Sequence, residues 1–303
     1  MTLLSLLLAA GLVAPTPRAP NKLLLPETPN PCEQCKSWNR PHAPVHVFGN
    51  TWWVGVNGLS AVAIDTAAGT ILLDGALSQS VPLLKASLNA ARLRLADVKL
   101  IGNTHAHFDH AGGIAALQRE SGATVMASAR SAEVLRAGCP TPDDPQAALG
   151  CETNGFPPVR EPLQLIHDGE VISLGGVELT AHLTPGHTPG STTWSWRSCE
   201  GKRCLNIVYA DSLNPVSAEG FRFEPIADVF KASIAKVSAL PCDVLLSAHP
   251  DASDTLERLG SKAGRKRPDP ARASQCADYA ARAAVKLEAR LAAESRPING
   301  ARH

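Results

Sequence analysis

Four side chains with metal-ligand chemistry fall within six residues of this chain: His105, His107, Asp109 and His110. Imidazole and carboxylate suit zinc, iron or manganese, and no single helical face could present all four at this spacing. A loop can, because its backbone turns each residue separately. The apolar run Val98-Lys99-Leu100-Ile101 reads as a short buried strand leading into the cluster, and Gly112-Gly113 leads out of it into an amphipathic helix. A solvated His-rich tract or a tag would lack that framing. The cluster predicts most of a two-metal hydrolytic site at the end of a strand.

Two later histidines also follow apolar strands beside glycine or proline. His187 lies in Leu183-Thr184-Pro185-Gly186-His187-Thr188-Pro189-Gly190, and His249 in Val244-Leu245-Leu246-Ser247-Ala248-His249-Pro250. Each alone is an ordinary loop histidine; beside four ligands they complete a site.

The elements that must position these residues follow from periodicity and turn chemistry. Strands are predicted at Val45–Phe48, Trp52–Val56, Leu59–Asp65 and Thr70–Asp74, punctuated by Gly49-Asn50, Asn57-Gly58 and Ala68-Gly69. A helix over Pro82–Leu93 precedes the Val98 strand, and a strand at Thr124–Ala127 and a Ser-capped helix at Ser131–Ala137 follow the cluster. Residues 138–162 are proline-rich and aperiodic, as in a functional lid or a disordered segment. A second run of strands (Leu163–Ile166, Glu170–Ser173, Val177–Leu183, Thr192–Arg197, Leu205–Ala210) leads to a helix near Val229–Ala239, the Val244–Ser247 strand and a helix from about Ser274 to Glu294. Strands then helices, written twice, predict an α/β fold of two halves with their sheets face to face and helices outside, a four-layer αββα sandwich.

With 303 residues the chain can bury a full core, and its formal charge of +1 gives no reason to expect nucleic acid or an anionic membrane as partner. The pairs Trp52/Trp53 and Trp194/Trp196 read as core or edge-strand packing. Met1 to Ala14 is Leu/Ala-rich, too short to span a membrane and about the length of a signal-peptide core, although no Lys or Arg precedes it. Residues 1–19 are expected to be a cleaved export signal and 20–303 a single soluble domain. Eight cysteines fit export. They group as Cys32/Cys35, Cys139/Cys151 and Cys199/Cys204, plus the distant Cys242 and Cys276. Many connectivities are possible, and the Cys32-Glu33-Gln34-Cys35 motif has no second CxxC to make a zinc site with it.

The His-x-His-x-Asp-His run, the later Pro185-Gly186-His187-Thr188-Pro189-Gly190 and the strand ending at His249 resemble the metallo-β-lactamase superfamily, whose fold is the αββα sandwich. Tyr209-Ala210-Asp211-Ser212-Leu213, His249-Pro250 followed by Ala252-Ser253, and Cys242 with Cys276 narrow the resemblance to subclass B3, from the N-terminal arm through the last helix. It implies a Cys242–Cys276 disulfide and two zinc ions, one on His105, His107 and His187 and the other on Asp109, His110 and His249. The implied activity is hydrolysis of the β-lactam amide of penicillins, cephalosporins and carbapenems by a zinc-activated hydroxide, conferring antibiotic resistance, with Asp109 orienting the solvent. A periplasmic monomer acting on a small molecule is the implied setting.

Ser212 falls where subclass B3 holds the substrate carboxylate. Asn214 takes the place of a second small hydroxyl residue, and Trp38 and Phe156 fall where relatives line the cleft. Asp211 stands where glyoxalase II and lactonase members carry a metal-bridging aspartate, so an exported lactonase or esterase is the alternative activity. A zinc-binding protein with a degenerate site is disfavoured because all six ligands are present.

Overall fold

Apolar side chains alternate along most strands, and the two faces they serve build the layers. The computed structural model describes residues 29, 32–260 and 269–296; the expected export signal lies outside the described residues. The first sheet contains β1 (Val45–Phe48), β2 (Thr51–Trp53), β3 (Val62–Thr66), β4 (Gly69–Leu73), β5 (Val98–Gly102), β6 (Thr124–Ser128) and β7 (Leu163–Ile166), in that spatial order. The second contains β8 (Val171–Leu174), β9 (Val177–Leu183), β10 (Thr192–Glu200), β11 (Arg203–Ala210) and β12 (Val244–Ser247), ordered β12-β11-β10-β9-β8. Strands β1 to β4 pair antiparallel, whereas β4 to β7 pair parallel because helices connect them.

The described helices are α1 (Cys35–Trp38), α2 (Val81–Ala90), α3 (Phe108–Ala111), α4 (Ile114–Ser121), α5 (Ala129–Ala137), α6 (Gly150–Asn154), α7 (Ala227–Ala239), α8 (Thr255–Arg258) and α9 (Gln275–Glu294). Three buried clusters correspond to the three interfaces of four layers. Leu72 and Val125 face outward from the first sheet onto Leu84, Leu88, Leu117 and Leu135 of α2, α4 and α5. Ile71, Leu73 and Met126, one residue away on the same strands, face inward onto Leu179, Ile207 and Leu246 of the second sheet. Val208 and Leu245 face the other way, onto Phe230 and Ile234 of α7 and Ala280 and Leu287 of α9. The predicted αββα sandwich is the observed fold.

Trp53, Trp194 and Trp196 all lie in the inter-sheet layer, as their pairing along strands predicted. Each indole N–H finds an acceptor: Ser60 Oγ, Asn103 O and Thr51 Oγ1, at 3.0, 3.2 and 3.0 Å.

Two local features differ from expectation. Helix α5 starts two residues before Ser131, and its cap is Ser128, whose Oγ accepts from Ser131 N at 3.2 Å and donates to Gly190 O at 2.7 Å. The cap thereby also tethers the loop that carries His187. The aperiodic stretch after Gly138 is ordered by a 3-10 turn (Ala147–Leu149), by α6 and by the Cys139–Cys151 disulfide. Disulfides also join Cys32 to Cys35, Cys199 to Cys204 and Cys242 to Cys276, the last stapling α9 to the segment before β12.

Candidate metal centre

The ligand loop begins where β5 stops, and buried hydrogen bonds hold it open. Asp74, just past β4, accepts from Thr104 N and Thr104 Oγ1 at 2.7 Å each, from Tyr209 OH at 2.8 Å and from Asn103 Nδ2 at 3.3 Å. Asn103 Nδ2 also donates to His105 O at 2.8 Å. These bonds replace the ladder that the chain has left, so His107 can sit on extended backbone while Asp109 and His110 ride the single turn of α3. Gly113 permits this packing, because a Cβ there would lie 2.2 Å from Gly75 O.

All six sequence-predicted ligands converge. His105, His107 and His187 bring one donor atom each within 4.8 Å of one another, and their ring centroids are 4.7, 4.8 and 5.0 Å apart. The donors of His105, Asp109 and His110 form a second such group. His249 completes it: His249 Nε2 lies 3.2 Å from His110 Nε2 and 3.4 Å from Asp109 Oδ2, which is itself 3.3 Å from His110 Nε2. Ligand atoms about 2.1 Å from a tetrahedral zinc would stand about 3.4 Å apart. The spacing fits that ion.

Apart from His110, whose Nδ1 has no hydrogen-bond partner among the described residues, the outward ring nitrogens are tied to acceptors, which fixes the tautomers and turns the other nitrogen to the centre. His105 Nδ1–H donates to Asp211 Oδ1 at 2.6 Å, His187 Nδ1–H to Asn214 O at 2.8 Å and His249 Nδ1–H to Gly58 O at 3.2 Å. His107 is turned the other way: its Nε2–H donates to Asp144 at 3.1 Å, leaving Nδ1 to accept from the Gln146 amide at 3.3 Å. His105 Nε2 is buried with no partner among the described residues, the orphan a cation would satisfy.

Electrostatics agree with a cation site. Burial and then the neighbouring imidazoles push the His105 ring well below its ordinary pKa, and burial with the His107 ring takes His187 down to about 3. Both present neutral donors at pH 7. Burial acts to raise the Asp109 carboxyl, but His110 and His249 beside it hold it well below the usual carboxylate range.

Asp211 stands behind His105, on the nitrogen facing away from the centre, and belongs to neither ligand group. Replacing it with alanine is expected to leave the metal count unchanged at saturating zinc while weakening affinity by about 10–100-fold. Titration against a chromophoric chelator measures this; a metal lost even at saturation would return Asp211 to the ligand set.

The centre forms the floor of a cleft of about 840 Å³. Ser212 and Asn214 line it, as does Trp38, whose ring lies 5.4 Å from that of His249. Phe156 does not line it. At 7 % exposure it packs into the core under the first sheet, its N–H donating to Gly138 O, and the tied loop turns Gln146, Leu149 and Asn154 to the cleft instead. Asp74, Asp144 and Gln146 are site residues that sequence reasoning did not single out. The carboxylate just after β4 in Leu72-Leu73-Asp74-Gly75, following an apolar run, was the available signal for the first; nothing local marks the other two.

Residues 54–199 match the family model described as the metallo-beta-lactamase superfamily. The solved structure of Rm3 metallo-beta-lactamase is 44 % identical and superposes with a TM-score of 0.83, covering 88 % of this chain and 100 % of its own. The chain belongs to the metallo-β-lactamase superfamily. Within the superfamily it groups with subclass B3: MEM-A1, a subclass B3 metallo-beta-lactamase isolated from a soil metagenome library, is 46 % identical over 85 % of this chain and 98 % of its own, with a TM-score of 0.80. Among curated proteins, acyl-coenzyme A thioesterase MBLAC2 of Gallus gallus is 34 % identical over 125 residues. That match takes in 36 % of this metallo-β-lactamase chain and 42 % of the thioesterase, so the chain spans less than half of that relative.

Proposed function

We propose that the protein is an exported zinc β-lactamase that opens the amide of penicillins, cephalosporins and carbapenems and so confers resistance to them. The observation that carries this reading is the pair of interlocking ligand groups at the floor of a cleft that also holds Ser212, in a chain whose solved neighbours are β-lactamases. Two zinc ions are assigned, one to His105, His107 and His187, the other to Asp109, His110 and His249. Four disulfides support export, and among the described residues no helix is long and apolar enough to cross a membrane. A monomer suffices, because all six ligands come from one chain.

Bound zinc supplies Lewis acidity and, by lowering the pKa of water to about 7, a nucleophile at neutral pH. The chain supplies the rest. Hydrolysis puts water's oxygen on the carbonyl carbon and a proton on the departing nitrogen, and Asp109, kept ionised by its neighbours, is the carboxylate placed to orient the water and carry that proton. The Ser212 side chain, which borders the cleft, donates to the ring carboxylate, and the exposed Asn214 amide can add a second bond. Trp38 covers the His249 side and excludes water.

Asp211 behind His105 weighs against the lactonase or esterase alternative, which calls for that carboxylate between the metals. Expression in a susceptible bacterium, with hydrolysis of a carbapenem, a penicillin and a homoserine lactone assayed before and after chelation, tests the proposal. Both β-lactams should be hydrolysed, the activity should vanish with chelator and it should return with zinc. Lactone turnover without β-lactam turnover would overturn the reading.

A further inference from the structure

One wall of the cleft is the C-terminal helix, and its charge has no use in the mechanism so far. Tyr279, Arg282, Ala283 and Lys286 of α9 border the cleft at i, i+3, i+4 and i+7, the spacing of a single helical face. Tyr279 anchors that face to the loop after β11: its OH donates to Asp211 O at 2.9 Å and accepts from Leu213 N at 3.3 Å. Ala283 leaves space. Arg282 and Lys286 are exposed.

Arg282, Lys286 and Arg290 repeat every four residues, so like charges repel along the row. Glu294 neutralises Arg290 at 2.7 Å. Among the described residues neither Arg282 nor Lys286 has an ion-pair partner; Asp251 and Asp254 also border the cleft but pair with neither. Arg282 gives one Nη2 bond to Ala252 O at 3.1 Å, which steers its guanidinium without neutralising it. Lys286 stands roughly 10 Å along the helix, at 1.5 Å per residue, from Tyr279, whose OH meets the backbone on either side of Ser212. One carboxylate cannot reach both.

We propose that Lys286, with Arg282 beside it, is a specificity-determining subsite for a second anionic group on the substrate, remote from the carboxylate that Ser212 binds. The subsite rests on the β-lactamase reading above. It favours β-lactams whose side chain is itself acidic, and long-range attraction by an unneutralised pair raises capture more than turnover.

Carbenicillin and benzylpenicillin test it, because they differ by a single side-chain carboxylate. With the zinc-loaded enzyme, Lys286→Glu, alone and with Arg282→Glu, should lower the ratio of kcat/KM for carbenicillin to that for benzylpenicillin by about fivefold to tenfold. The change should appear mainly in KM, shrink as salt is raised, and be absent in Lys286→Arg. Both positions are exposed, so the variants should fold, which thermal melting checks. A ratio within about twofold of the parent in both glutamate variants, the reach of an ordinary surface charge, overturns the subsite. Failure of the zinc-loaded parent to hydrolyse benzylpenicillin overturns the β-lactamase reading itself, and the subsite with it.

Discussion

His249→Ala is expected to leave one of the two zinc ions proposed for the parent protein, and to lower kcat/KM for a β-lactam by about a hundredfold to ten-thousandfold. The size follows from what remains. Without His249 Nε2, the second group would keep Asp109 and His110 as its own ligands, too few to hold the ion, and Asp109 would lose one of the two imidazoles beside it. Little of the loss should come from unfolding. The side chain is 26 % exposed, and its one bond outside the centre, Nδ1–H to Gly58 O, is worth about 1 kcal/mol. Metal analysis after dialysis, read beside the kinetics, checks it. Near-normal turnover with two bound ions would remove His249 from the ligand set.

The largest loss of stability is expected from Asp74→Ala. Its carboxylate takes hydrogen bonds from Thr104 N, Thr104 Oγ1, Asn103 Nδ2 and Tyr209 OH, all buried. Each donor stranded without water costs about 1–3 kcal/mol. Asp74 also has φ +63°, a conformation that aspartate and asparagine tolerate better than alanine. The sum, about 4 kcal/mol or more, corresponds to a fall in Tm of roughly 10 °C for a chain of this size. Asp74→Asn should lose much less, since it keeps the backbone preference and part of the bonding. Melting curves in chelator separate this effect from zinc binding. An Asp74→Ala protein melting within about 2 °C of the parent would show that the network is dispensable.

The layers were legible because strands followed by helices are written twice, and strands such as β4 and β12 are apolar along their length, as strands covered on both faces must be. The flanking residues of β4, β6, β11 and β12 sort into two clusters as their spacing requires. The candidate ligands were legible because four of them are neighbours in the chain and the other two end strands. Their supports were not. Asp144 meets His107 across 37 positions, and Asp74 meets Tyr209 across 135, partnerships set by how the layers stack rather than by any local pattern. Phe156 shows the opposite error. Its place, where relatives line the cleft, suggested a cleft contact, yet by that point the loop has returned to Gly138 and the ring falls into the core. Asp211 could not be assigned from its motif, because the same Ala-Asp-Ser run serves either orientation; the 2.6 Å contact with the far side of His105 decides it.

The bonds around the ligand loop also settle where the enzyme can yield. Tyr209 OH reaches Asp74, Trp194 Nε1 reaches Asn103 O, Thr192 N reaches Thr104 O at 2.7 Å and Ser60 N reaches Ala248 O at 2.9 Å. Each joins one half of the chain to the other. A hinge between the halves would have to break these together, deep in the interior, before the cleft widened at all. Adjustment to a substrate therefore falls to the margin, to α1 with Trp38, because the loop between Cys139 and Cys151 is itself pinned to His107 through Asp144 and Gln146. A rigid floor confines any such adjustment to the rim of the cleft and leaves the reacting groups where they are.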